Sequence, residues 1–190
     1  MKNKSKKITK IVLKGLLISG GIIIAGNNPR FFKYVLPKII KHFSYKIKDS
    51  KRKKEIYDTF YQLERKSLIK YEHQGKQVYI SLTTEGKKRA GKYQIDDLEI
   101  KKPKKWDRKW RILIFDIKNK DKPKREALRG KIKELGLYQL QKSVWVYPHD
   151  FSDAAEILRK FFNLNNDEMQ TISAFKIEND KNVKAFFNLK

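Results

Sequence analysis

The run Trp110-Arg-Ile-Leu-Ile-Phe-Asp-Ile117 constrains the fold more than any other stretch of the chain. Its β-branched and aromatic side chains suit a buried strand that closes at Asp116. Downstream, Pro123 to Leu135 predicts a helix with Ala127, Leu128, Ile132 and Leu135 on one face, ended by Gly136. Leu137–Gln141 and Val144–Tyr147 read as paired strands. Ser152–Phe162 reads as an amphipathic helix with Ile157, Leu158, Phe161 and Phe162 apolar, and Thr171–Ile177 as a closing strand. The order is βαββαβ, a ferredoxin-like α+β sandwich whose two helices cover one sheet face.

At 190 residues and 39% hydrophobic content, the chain suits one or two small domains with real cores rather than a disordered polycation. Its formal charge of +25 comes from 46 Lys and Arg against 21 Asp and Glu. The charge is uneven: residues 1–105 hold 28 basic against 9 acidic side chains, a balance of +19, and the remainder balances at +6. Crowded cations repel one another until a polyanion relieves them. A phosphate backbone, whose condensed counterions are released on binding, is the favoured polyanion. A solvated Lys-rich surface is the plainer alternative. Cysteine is absent, which excludes disulfides and thiolate metal sites and fits a reducing cytoplasm, the expected location. His42, His73 and His149 lie far apart, so no histidine metal cluster is expected and each reads as a surface or packing residue.

Met1 to Lys10 is basic and Ile11 to Ala25 is apolar apart from Lys14, the outline of an export signal or anchor. The uninterrupted part, Gly15 to Gly26, is about half of the ~20 residues a spanning helix needs. Asn27-Asn28-Pro29 reads as a helix stop, an N-cap and a first-turn proline. Pro29 to about His42 then places Phe32, Val35, Leu36, Ile39, Ile40 and Phe43 at helical spacing. The expectation is a buried pair of apolar helices with no membrane partner.

Lys51 to Ile95 carries the clearest local pattern: a basic helix, a hairpin and a capped helix. Within Lys51–Lys66, a rotation of about 100° per residue puts Ile56, Phe60 and Leu63 on one side. Lys51, Lys54, Asp58, Tyr61, Gln62 and Arg65 fall on the other. Leu68–His73 and Gln77–Leu82 are strand-like and are joined by Gln74-Gly75-Lys76. Thr83-Thr84-Glu85-Gly86 is an N-cap signature ahead of the basic helix Lys87 to Tyr93.

Ile56-Tyr-Asp-Thr-Phe-Tyr-Gln-Leu-Glu-Arg-Lys-Ser-Leu-Ile-Lys70 and Val78-Tyr-Ile-Ser-Leu-Thr-Thr-Glu-Gly86 resemble parts of a winged helix-turn-helix domain, assigned to residues 1–99. The first segment resembles its recognition helix and exit, the second its last wing strand and following turn. Ser67 stands where that exit ordinarily has glycine. The resemblance implies a double-stranded DNA partner, with the helix in the major groove and the wing along the backbone. Lys51, Lys54, Tyr61, Gln62 and Arg65 would then meet bases or nearby phosphates. Lys76 would meet the backbone, and Lys87, Lys88 and Arg89 would add phosphate attraction. A winged helix that docks on protein is the alternative.

Ile100-Lys-Lys-Pro-Lys-Lys105 interrupts the periodic pattern and predicts a linker between residues 1–99 and 106–190. Beyond it stand Trp106-Asp-Arg-Lys-Trp-Arg-Ile-Leu-Ile-Phe-Asp-Ile117, Arg125-Glu-Ala-Leu-Arg129 and Leu135-Gly-Leu-Tyr-Gln-Leu-Gln-Lys-Ser-Val-Trp-Val-Tyr-Pro148. They resemble the central domain of PaaX-type transcriptional repressors, which is itself similar to the CRISPR adaptation endonuclease, the second Cas protein. The resemblance implies a sequence-specific DNA-binding repressor that forms a homodimer through the ferredoxin-like domain, with an unidentified small-molecule effector. The chain stops soon after the βαββαβ unit, short of the further C-terminal region of such repressors. An acyl-coenzyme A effector and a role in phenylacetate metabolism are therefore not carried over.

In that endonuclease an Asp at the end of the first strand is paired across the dimer to hold a divalent metal. Asp116 is accordingly the candidate catalytic and metal residue of the alternative reading, a Mg-dependent nuclease or CRISPR adaptation factor. Against it, an Asp closing a buried strand commonly caps the next turn, and Asp116 has no acidic cluster near it in sequence. The regulator reading expects no cofactor. Trp110 and Trp145 are expected in the sheet core or a dimer seam, with Trp106 packing the linker. Without a Gly-rich phosphate loop, a Ser/His/Asp set or paired carboxylates, ordinary enzyme classes lack a carrier.

Overall fold

A computed structural model describes residues 2–25, 50–74, 77–103 and 105–189, and in it the N-terminal apolar segment is divided by its own glycines. Helix α1, Lys2–Ser19, stops where Gly20 and Gly21 take φ of +72° and +146°, and Ile22–Ala25 continue as strand β1. Three consecutive isoleucines favour a strand once glycine has released the helix. A side chain at Gly21 would collide with the Tyr79 hydroxyl, which donates to the carbonyl of Gly20 at 2.8 Å. The expected apolar helix pair is thus corrected: its first member is helix then strand, and Pro29–His42 lies outside the described residues.

Helix α2 spans Ser50–Arg65, followed by β2, Ile69–Gln74, β3, Gln77–Leu82, and helix α3, Thr84–Asp96. The hairpin strand β3 lies in the middle of a three-stranded antiparallel sheet of order β1-β3-β2, with Ile80 opposite Ile22 on one side and Tyr71 on the other. Leu13 and Leu16 of α1 pack in one core with Phe60 and Leu63 of α2, Ile80 and Leu82 of β3, and Ala90 of α3. Full burial of a side chain of Leu, Ile or Phe size contributes about 2 kcal/mol.

The exit of α2 is closed by backbone bonds from Ser67 to Glu64 at 2.7 Å and from Leu68 to Leu63 at 2.9 Å, with Ser67 at φ +51°. Thr83 then ties this exit to the next helix. Its N–H donates to Leu68 O at 3.1 Å and its hydroxyl to Ser67 O at 2.6 Å, while the same oxygen accepts from the Gly86 N–H at 3.0 Å. A Cβ on Gly86 would collide with the Leu68 carbonyl, which explains the Thr-x-x-Gly spacing after the second hairpin strand.

The chain folds as two compact units, Met1–Asp96 and Asp97–Lys190. The second runs β4, Trp110–Phe115, α4, Lys122–Glu134, β5, Tyr138–Gln141, β6, Val144–Tyr147, α5, Ser152–Phe162, and β7, Met169–Ala174. All pairings are antiparallel in the order β5-β6-β4-β7, the topology expected from the βαββαβ reading. Leu113 and Phe115 share a face with their cross-strand partners Trp145 and Met169, and all four are buried. Leu128, Ile132 and Leu135 from α4 and its end, and Ala154, Ala155 and Leu158 from α5, complete the buried layer. Ala127 and Phe161, expected on those faces, are exposed instead. Ala127 lies about 100° around the helix from Leu128. Phe161, 41% exposed, meets Phe162 edge-on at 5.1 Å.

The closing strand starts and ends earlier than Thr171–Ile177, because after Ala174 the chain leaves the sheet and returns as a short helix, α6, Lys181–Phe186. Val183 of α6 is buried with Trp110 and Val146, flanked by Phe187 and Leu189, so part of the second sheet face is covered as well.

Candidate nucleic-acid interface

The periodicity of α2 leaves one side for the core and one for solvent. Phe60 and Leu63 are buried, whereas Asp58, Tyr61, Gln62 and Arg65 are exposed, Tyr61 at 59%. Spacings of three, four and seven place these four on one face. Lys51 and Lys54 belong to the same helix, but their side chains lie outside the described residues, as does Lys76 altogether. Lys87, Lys88 and Arg89 are exposed on a separate helix, α3. Arg89 folds back on its own helix, donating from Nε to Tyr93 Oη at 3.3 Å with its guanidinium 5.5 Å from the ring. Lys66, exposed and next to Arg65, adds a cation at the end of α2 that the face-by-face reading passed over.

The charged residues of the C-terminal motifs act mainly within the fold. Arg111 holds Asp107 through two bonds of 2.7 and 2.6 Å, and this guanidinium keeps the Asp107 carboxyl at a pKa of about 2. Trp106 Nε1 donates to Lys109 O at 3.0 Å, and its ring lies 4.7 Å from that of Trp110. Trp106 therefore packs on the strand as expected, with Trp110 and Trp145 buried. Arg125 donates to Ile117 O at 3.2 Å and to Asn119 Oδ1 at 3.0 Å, fastening the segment after β4. Arg129 donates to Lys142 O at 2.9 Å, across the β5–β6 turn, and to Glu126 at 2.6 Å. Sequence reasoning missed these fasteners. The four-residue spacing of Asp107 and Arg111 was the available signal, whereas carbonyl partners leave none.

Asp116 is exposed at the end of β4, where its backbone N–H donates to Glu168 O at 2.9 Å. Among the described residues no group of three or more His, Cys, Asp or Glu could hold a metal ion. The metal site of the alternative reading takes Asp116 from each of two copies, so a single chain supplies one carboxylate of it. His149 is half-buried with its ring 5.8 Å from Tyr147, and burial pushes its pKa down. Among the described residues no helix is long and apolar enough to cross a membrane.

A four-stranded antiparallel sheet with two crossing helices, its leading segment clasped to the first strand, makes the C-terminal unit a βαββαβ α+β domain. Residues 103–185 match the family model described as the PaaX protein central Cas2-like domain. No curated protein matches the chain.

Proposed function

We propose that the protein is a DNA-binding transcriptional regulator, a cytoplasmic repressor that acts as a homodimer on a roughly palindromic duplex site. In this reading the N-terminal unit is a winged helix with α2 as its recognition helix and β2 and β3 as the wing strands. The observation that carries it is the face of α2, where Tyr61, Gln62 and Arg65 stand exposed opposite a buried apolar stripe, immediately before a hairpin. The +19 balance of residues 1–105 supplies sequence-independent attraction to phosphate, and the match of residues 103–185 to the PaaX central domain agrees with a regulator. Gln62 and Tyr61 then read base edges, Arg65 and Lys54 meet bases or phosphates, and Lys76, Lys87, Lys88 and Arg89 contact the backbone. The second unit couples two copies through its sheet, where Ile172 and its cross-strand partner Ile112 remain partly uncovered.

Anisotropy titrations with a set of duplexes at several salt concentrations test this. Binding should weaken linearly in log salt, and Lys87→Ala should lower affinity for every duplex while reducing the slope by about 1. Gln62→Ala should instead alter preference among duplexes, by about 1–3 kcal/mol at the position it reads. Absence of binding to any duplex in dilute buffer would end the proposal.

A further inference from the structure

The second unit contains a cleft of about 640 Å³, within the range of small-ligand sites. Its walls come from two places in the chain: the turn that leads into β4, with Trp106, Arg108 and Trp110, and the segment after β7, with Phe175, Lys176 and Lys181. Phe175 is 80% exposed, an unusual state for a phenylalanine, and Lys109 Nζ lies 5.4 Å from its ring centre. Trp106 adds a second aromatic wall. Arg108, Lys176, Lys181 and Lys184 bring positive charge to the lining, whose one acidic side chain, Asp180, is paired with Lys184 at 3.2 Å.

The aromatic wall is built rather than incidental. Arg108 takes φ +62°, a left-handed conformation that costs a non-glycine residue about 1–2 kcal/mol. The turn around it is fixed by the Asp107–Arg111 pair, by the Lys109 N–H donating to Asp107 Oδ1 at 3.1 Å, and by Trp106 Nε1 and Arg111 both donating to Lys109 O. Strain over-determined in this way is characteristic of ligand clamps. An inorganic anion would use the cations and leave the rings idle. A purely apolar ligand would leave the cations idle.

We propose that this cleft binds a nucleotide unit, a planar base stacked on Phe175 and Trp106 with its phosphate among Lys176, Lys181 and Arg108. Base stacking on aromatic side chains within a basic groove is how unpaired nucleotides are held without sequence preference. The unit can arrive as a free nucleotide or as an unpaired residue of a nucleic-acid strand, and both present a planar ring beside an anionic phosphate. The cleft belongs to the second unit, whereas the face of α2 proposed to meet duplex DNA belongs to the first.

Tryptophan fluorescence of the full chain reads the proposal directly, since Trp106 is the half-exposed indole beside two buried ones. AMP, a single-stranded tetranucleotide and inorganic phosphate serve as titrants. Saturable quenching by AMP and the tetranucleotide, and none by phosphate, is the expected result, and quenching by the tetranucleotide without AMP would assign the site to a strand. Phe175→Ala, at an exposed position, and Lys176→Ala with Lys181→Ala should each weaken binding about tenfold while leaving duplex anisotropy unchanged. No saturable response to either nucleotide probe up to millimolar concentration, or unaltered affinity in both variants, would overturn the assignment whatever the duplex titrations give.

Discussion

Ser67, Gly136, Asn163 and Asn188 occupy the same position at the ends of four different helices, at φ of +51°, +85°, +48° and +53°, and each is followed by leucine. The leucine N–H reaches back to a carbonyl five residues earlier: Leu68 to Leu63 at 2.9 Å, Leu137 to Ile132 at 3.3 Å, Leu164 to Arg159 at 2.9 Å and Leu189 to Lys184 at 2.9 Å. Only Gly136 announced itself in the sequence, because Ser-Leu and Asn-Leu are too common to mark a left-handed turn. Serine tolerates that conformation worst of the three residue types, so Ser67→Gly should stabilise the protein by about 1 kcal/mol in denaturant unfolding. A lower midpoint would assign the Ser67 hydroxyl a role of its own. Asp107 gives a second test at this scale. Its folded pKa of about 2 lies below the ordinary ~3.9, so its contribution is present above about pH 4 and is lost as pH falls toward 2. Half-exposure limits the effect to about 1 kcal/mol or less. Asp107→Asn should be the less stable protein at neutral pH, with the gap closing across that window in thermal melts. A gap that persists at pH 2 would place the stabilisation elsewhere than in the charge pair.

Among elements, those whose pattern lies within one stretch of sequence were legible. The helical faces of α2, α4 and α5 and the strands β4 to β6 emerged close to their observed bounds because periodicity is a local property. Strand β1 was not legible. Ile22-Ile23-Ile24 has no alternation, and its partner β3 lies more than fifty residues away. Helix α6 is a six-residue element held by Val183 against Trp110 and Val146, and it is too short for a periodic signal. The joint between α2 and α3 was visible as the Thr-x-x-Gly motif, but its meaning came from the contact between Gly86 and the Leu68 carbonyl. Gly86→Ala should therefore destabilise the N-terminal unit by about 2 kcal/mol or more, far beyond the usual effect of alanine near a helix start. A circular-dichroism melt matching the parent would show that the exit of α2 can shift freely.

At the scale of the molecule, the exposed face of α2 was readable in advance, since Tyr61, Gln62 and Arg65 need only a 100° rotation to be grouped. The aromatic cleft was not, because Arg108 and Lys176 meet only after β4 and β7 have paired. The proposed coupling of two copies predicts that Ile172→Lys, a charge on the partly open sheet face, converts dimer to monomer in sedimentation while leaving the fold intact. A dimer that survives it would move the interface off this sheet. The central placing of β3 also has a consequence for biosynthesis. Both neighbours of that strand leave the ribosome before it does, so the triple-isoleucine segment waits with a bare edge until Gln77–Leu82 emerges. The lysines of α1 lie just upstream of that edge, where like charge opposes pairing between nascent chains.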